Sequence, residues 1–508
     1  MRLRLLCVTL AVLVGLPTAA VADPPHVGAP LTGGKGKPFF PALVDPAAYG
    51  YTETEYLLSG TARPYGTTGP RRPFTTRLLV YRPRDPRRFS GTAYLEWNNV
   101  TAQADVPVEF SWAQHHVFRS GDVYIAFAAQ QAGACGLFLT GALPVCTPTS
   151  LKGNDPGRYG ALRHPGDAYS YDMYSQAARA VLRPVGRSPV GGLRVRHLIG
   201  VGESQSAAQL NLYQRYGADA DARLFDGFLV DADLRSTIPR TYRVPTIHLW
   251  SEESARPVPS TSGRNHRIWM VAGTSHFDRS AIDRAIPQLA ASITGTGTSR
   301  SRRADDASLW RSGDFAQYGA NASSLCAGGI EVPRRYAVDA ALAALKRWAA
   351  RGIAAPSAPP FQFTGLPYLT AELPTLPALP GLPTDGLDAL GVATIPLALR
   401  RNADGNAIGG LRLPTISVPV ASYDGTGCLL LGTSRTFSRV RLHQLYPTHG
   451  HYVRQVLGAT QRSVRTGFLT RSDGIDLVRR ACASAIPSLG RTAWVDQPAP
   501  CRRLRQLL

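Results

Sequence analysis

The feature that most constrains this sequence is an abrupt passage from strand to helix. Val195–Val201 reads as an apolar strand, and a helical pattern runs from about 205 to 216. Between them stand only Gly202-Glu203-Ser204. A turn this tight needs small residues two before and two after its apex, so that strand and helix can approach. It also strains the backbone of the apex residue and lifts its side chain above the sheet. Gly202 and Ser206 occupy those flanking positions, and Ala207 and Ala208 follow. Ser204 is therefore a candidate nucleophile; the plain alternative is a tight turn with a serine cap.

The surrounding pattern supports a sheet-based reading. Strands are expected at Glu55–Gly60, Thr75–Arg82, Gly91–Trp97 and Val123–Ala128, with a helix over 107–119. A helix over 168–183 precedes the Ser204 strand. Strands at Gly227–Asp231, Thr246–Trp250 and Ile268–Ala272 follow it, then a long helix over 333–351. Its Ala337, Ala341, Leu342, Leu345 and Trp348 share one face. Alternating strands and helices predict an α/β fold, with a mostly parallel central sheet covered by helices on both faces. Residues 23–353 would form this domain, and 23–50 an extended lead-in. Residues 354–508, Pro- and Leu-rich at first and helical later, would be a C-terminal α+β extension packed on the sheet or over the mouth of the site.

A serine hydroxyl is a weak nucleophile without a base. On such a fold the partners follow in the order serine, acid, histidine. His276 lies just past the strand Ile268–Ala272, at the carboxyl edge of the sheet where ligands bind in open α/β folds. The acid belongs after the preceding strand, where Thr246–Trp250 runs into Ser251-Glu252-Glu253. Glu252, first past the strand end, is the favoured acid, with Glu253, Asp231 and Asp233 as alternatives. A developing oxyanion needs N–H donors. The N–H of Gln205, at a helix start, is one candidate. Asn98 or Asn99, after the third strand, is expected to supply the other.

The N-terminus reads as a targeting segment. Arg2 and Arg4 precede the apolar run Leu5–Leu16, and Ala20-Val21-Ala22 forms a small-residue cleavage site. Residues 1–22 are therefore a secretory signal peptide in this reading. No later stretch is long and apolar enough to span a bilayer. Cleavage near Ala22 would release a secreted, periplasmic or cell-surface protein with six of the seven cysteines, an even number that points to disulfides. The short loops Cys135–Cys146 and Cys482–Cys501 are the first pairs expected, leaving Cys326 with Cys428.

The whole chain carries +21, and removing Arg2 and Arg4 leaves +19. The arginines are scattered, without a basic helix or a nucleic-acid motif, so specific nucleic-acid binding is not expected. His449-Gly-His451 lacks a nearby third ligand, and His115-His116 points to different helix faces. No metal or cofactor is therefore expected.

Several stretches together resemble an exported, largely uncharacterised family of α/β-hydrolase-domain proteins. They are Leu95-Glu-Trp-Asn-Asn-Val100, Arg158-Tyr-Gly160, His164-Pro-Gly-Asp167, Gly202–Ser206, Ser251-Glu252 and Gly273-Thr-Ser-His276. Asp404-Gly-Asn-Ala-Ile-Gly-Gly-Leu-Arg-Leu-Pro414 and Tyr446-Pro-Thr-His-Gly-His-Tyr452 carry the resemblance into the extension. It implies an α/β-hydrolase fold and a Ser/Glu/His triad with the first serine of Ser-Gln-Ser as nucleophile. The family often has glycine where Ser206 stands, and Thr-Glu-Thr-Asp where this chain has Ser251-Glu252-Glu253-Ser254.

The function expected is hydrolysis of a carboxylic ester, small or polymeric, through an acyl-enzyme. Acyl transfer or peptide cleavage by the same triad is the alternative enzyme reading. The net charge motivates a third: a secreted, non-catalytic protein that binds an acidic polymer or cell surface.

Overall fold

A computed structural model of the chain describes residues 24–140, 143–233, 238–239, 241–294, 329–364, 398–428, 430–488 and 501. The predicted signal peptide and Cys326 lie outside the described residues.

Nine of the strands before the extension follow one another as β1 (His26–Pro30), β2 (Tyr51–Ala62), β3 (Arg72–Pro83), β4 (Thr92–Trp97), β5 (Val123–Phe127), β6 (Leu137–Thr140), β7 (Leu143–Cys146), β8 (His197–Glu203) and β9 (Gly227–Asp231). Three more are β10 (Thr246–Trp250), β11 (Ser262–Gly263) and β12 (His266–Met270). All but β6 and β7 join one ten-stranded sheet in the order β1-β2-β3-β5-β4-β8-β9-β10-β12-β11. From β5 to β12 every neighbouring pair is parallel, whereas β1, β2, β3 and β11 run antiparallel to their neighbours. The placement of β4 inside β5 brings the end of β4 beside the end of β8, which carries the serine turn.

The parallel strands are buried on both faces, as near-continuous apolar runs require. Tyr94, Tyr124, Ile199, Leu229 and Leu249 face a layer built by α1 (Val108–Ser120) and the helix 335–351. The five apolar residues predicted to share a face of that helix all enter this core. Leu95, Ile125, Leu198, Phe228 and Val230 face the opposite layer, built by α2 (Ser170–Leu182) and α3 (Gln205–Arg215). The helix Arg335–Arg351, here α4, stops at Gly352, whose φ of +67° suits a residue without Cβ. The predicted strands and helices are thus present, with ends displaced by a few residues.

Three features differ from expectation. The lead-in contributes β1, a five-residue strand too short for its alternation to stand out. The loop after β5 folds into the β6–β7 hairpin, closed by the disulfide Cys135–Cys146. The first two long strands extend to twelve residues each and pair along their whole length.

The C-terminal extension packs onto the β10–β12 end of the sheet. Trp250, Ile268 and Met270 share a core with Ile416, Val420 and Tyr423, and with Val453 and Val456 of α5 (His449–Arg465). It continues the β12 ladder too: the Leu411 N–H donates to Met270 O and its carbonyl accepts from the Ala272 N–H. Cys482, in α6 (Arg471–Ala483), is bonded to Cys501 as predicted. Cys428 is also disulfide-bonded.

Candidate active site

Ser204 sits where β8 passes into α3, with φ +59° and ψ −119°. That left-handed φ is costly for a non-glycine residue, on the order of 1–3 kcal/mol, and persists only where its surroundings enforce it. The Ser204 N–H donates to Asp231 O at 2.8 Å, tying the apex to the end of β9. A Cβ at position 202 would lie 2.9 Å from Ser206 O and 3.0 Å from Leu210 Cδ1, so only glycine fits there. Ser206 does more than stay small. Its hydroxyl donates to Glu203 O at 2.7 Å and accepts from the Glu203 N–H at 2.9 Å. This brace closes the turn in a way a glycine at 206 cannot.

His276 lies on the loop after β12, buried at 2% exposure against 6% for Ser204. Gly273 enters this loop with φ +72°, and a Cβ there would strike Ile416 Cδ1 at 2.2 Å. The imidazole has a carboxylate at each nitrogen. Nδ1 is 3.4 Å from Glu253 Oε1, and Nε2 is 3.1 Å from Glu203 Oε1. Burial alone would lower the His276 pKa; the two carboxylates outweigh it, and the ring holds its proton more firmly than a free imidazole. Glu203 is pushed up to about 7 by burial, against the pull of His276 and Arg334.

The acid favoured from sequence turns away from the imidazole. Glu252 Oε1 accepts the Gly273 N–H at 2.6 Å; its Oε2 accepts the Gly425 N–H at 3.0 Å and Arg401 at 2.8 Å. Its own N–H donates to Thr274 O. Glu252 therefore fastens the histidine loop to the C-terminal extension, and the residue that faces His276 is its neighbour Glu253. Ser251 Oγ donates to Glu253 Oε1 at 2.6 Å and holds that carboxylate in place. The two aspartates past β9 are engaged elsewhere: Asp231 is committed to Arg334, and Asp233 accepts from Asn211, Trp250 and Arg256.

Arg334, fully buried at the start of α4, organises the floor of the site. It bonds both Asp231 oxygens, Ser251 Oγ at 3.0 Å and the Ser275 carbonyl at 2.9 Å. The ends of β9 and β10 and the loop bearing His276 thus share one guanidinium, a link across about sixty to a hundred residues of sequence that no local pattern reveals.

The oxyanion donors expected from sequence are only partly offered. The N–H of Gln205, first in α3, has no intrahelical acceptor and lies at the positive end of the helix. The Asn98 and Asn99 N–H groups are already committed, to Phe127 O at 3.1 Å and Val106 O at 2.9 Å. The Asn99 side chain instead donates to the Glu203 carbonyl and carboxylate. Asn98 is wholly buried. The next N–H, that of Val100, approaches Gln205 Oε1 at a long 3.4 Å.

Among the described residues no group of three or more His, Cys, Asp or Glu side chains is arranged to hold a metal ion. No described helix is long and apolar enough to cross a membrane. His449 and His451 are apart in role: His449 Nδ1 bonds Ile486 O, and His451 lies beside Gln455 on the helix surface.

A family model described as an alpha/beta hydrolase domain matches residues 27–479. The chain belongs to this α/β-hydrolase domain family. The match runs through the extension as well as the sheet. Solved structures similar to this α/β-hydrolase include esterase Est22, at 12% identity over 41% of this chain and 67% of that one, with a TM-score of 0.26. The hyperthermophilic esterase from the archaeon Pyrobaculum calidifontis aligns at 11% identity over 39% of this chain and 64% of its own, with a TM-score of 0.21. A CE15 glucuronoyl esterase from Teredinibacter turnerae T7901 aligns at 13% identity over 41% of this chain and 45% of its own, also with a TM-score of 0.21. No curated protein sequence matches this α/β-hydrolase.

Proposed function

We propose that this protein is an exported serine hydrolase that cleaves carboxylic esters through an acyl-enzyme on Ser204. One observation carries the reading: a serine held at φ +59° at a strand-to-helix apex, whose preceding residue Glu203 lies 3.1 Å from Nε2 of a buried histidine that has a second carboxylate on its Nδ1 side. Strain of this kind at a non-glycine residue is retained where it aims a side chain for chemistry.

In this mechanism Glu253, rather than Glu252, receives the His276 Nδ1 proton in a hydrogen bond and fixes the tautomer. His276 Nε2 takes the Ser204 proton as Oγ bonds the ester carbon. The N–H groups of Gln205 and Val100 receive the oxyanion, the latter by exchanging its long bond to Gln205 Oε1. His276 then protonates the leaving alkoxide. A water, deprotonated by the same nitrogen, releases the acid and restores the serine. No step calls for a metal or cofactor. Export is supported by the disulfides Cys135–Cys146 and Cys482–Cys501, which belong to an oxidising compartment.

The test is turnover of a series of nitrophenyl esters by the mature protein and its Ser204→Ala variant. The reading expects a loss of roughly 10⁴-fold or more in kcat with an unchanged unfolding midpoint. Retained turnover in the variant overturns it.

A further inference from the structure

The Nε2 side of His276 is where a serine base must accept its proton, and that side is already occupied. Glu203, the residue just before Ser204, places Oε1 3.1 Å from Nε2. Glu203 is wholly buried, and its Oε1 makes no hydrogen bond of standard geometry; Oε2 lies 3.3 Å from Asn99 Nδ2. A neutral Nε2 facing an ionised Oε1 at this distance sets two lone pairs against each other. One proton between the two groups removes the conflict, either on the carboxyl or on the ring.

The groups facing the pair are few. Glu253 approaches the other ring nitrogen from the loop after β10. Arg334 at the start of α4 acts on both and Asp231 of β9 on Glu203, but these two are paired with each other. Glu96 of β4 and Glu203 repel each other, and the Glu96 oxygens accept from the Glu109 and Phe110 N–H groups and the Tyr124 hydroxyl. Among the described residues, Glu203 and Glu253 are the carboxylates within reach of the imidazole nitrogens.

We propose, resting on the reading of Ser204 and His276 above, that Glu203 is a positioning residue that shares a proton with His276 in the resting enzyme and stabilises the imidazolium formed during turnover. Both partners bind protons more firmly than when free, as a shared proton requires. Loss of that proton to solvent leaves a carboxylate and a neutral ring, the form that can take the Ser204 proton. As the Oγ–carbon bond forms, the serine proton moves to Nε2. As the ester C–O bond breaks, the same proton passes to the leaving oxygen. Glu203 stays ionised throughout, and its charge 3.1 Å from Nε2 raises the affinity of the ring for the proton in transit.

The test pairs kinetics with a direct titration. The kcat/KM–pH profiles of wild type and Glu203→Gln are measured, and the His276 ring is titrated by NMR in both. The amide is isosteric but uncharged, so the proposal expects the acid limb and the ring titration to move together to lower pH, by about one unit or more. It also expects a lower plateau, with Glu203→Asp partly restoring both. An acid limb and ring titration that stay in place in Glu203→Gln overturn the proposal while leaving Ser204 and His276 intact. If Glu203→Gln does not fold, the wild-type ring still tests the proposal: titration at or below the ordinary 6.5 overturns it. If wild-type Ser204 does not react with a fluorophosphonate, the underlying triad fails and this inference with it.

Discussion

Glu252 and Arg401 meet at 2.8 Å across 149 residues of sequence, and this ion pair decides which of two adjacent glutamates faces His276. Arg401 and the N–H groups of Gly273 and Gly425 take Glu252, so Glu253 is left toward the imidazole. Burial still holds the Glu252 carboxyl above its ordinary range, against the pull of Arg401.

The two carboxylates should therefore separate by variant. Glu253→Gln is expected to lower kcat by roughly 10³-fold with little change in stability, because it misplaces the ring proton. Glu252→Gln is expected to cost about 1–3 kcal/mol of stability, since a buried acceptor of three donors is weakened. Kinetics and urea unfolding on both proteins check this. The reverse pattern restores Glu252 as the acid.

The C-terminal extension should be part of the site. A Cβ at Gly425 would lie 2.0 Å from Thr274 O and 2.8 Å from Glu252 Cβ. Gly425→Ala must then displace the histidine loop. It is expected to lower kcat/KM by about 10²-fold, the effect of an ångström-scale misplacement. Wild-type kinetics in this variant would separate the extension from the chemistry.

Arg334 should be the costliest single charge to remove. Arg334→Met leaves Asp231 buried without its cation and frees Ser251 and the Ser275 carbonyl. The expected loss is about 3–5 kcal/mol, measured by denaturant unfolding. Activity should fall too, because Ser251, which holds Glu253, and the loop bearing His276 lose their common anchor.

The elbow and the histidine were legible because they depend on local pattern: an apolar strand, small flanking residues and chain order. The β6–β7 hairpin and β1 were not, because each is short and one hairpin end is set by a disulfide. Glu252 and Glu253 could not be told apart, since Arg401 makes the choice from the extension. Asn98 and Asn99 satisfied the positional rule for oxyanion donors. Their N–H groups, however, are spent on Phe127 and Val106, partners fixed only once β4 lies beside β5 and the loop has closed. Ser206 departs from the glycine that the family resemblance implies, and its hydroxyl braces the turn.

Reduction should destabilise the protein without abolishing the fold. Cys135 and Cys146 are 11 residues apart and Cys482 and Cys501 are 19 apart, so each cross-link is expected to contribute about 3 kcal/mol. A reductant should lower the thermal midpoint, and Cys135→Ser with Cys146→Ser should reproduce part of that shift. An unchanged midpoint would remove these bonds from the stability account.

The most direct test of the account is to treat the mature protein with a fluorophosphonate and map the adduct by peptide mass spectrometry. The account predicts one adduct per chain, on Ser204, absent after heat denaturation and reduced in His276→Ala. A folded protein that stays unlabelled, or one labelled at a different serine, would contradict it.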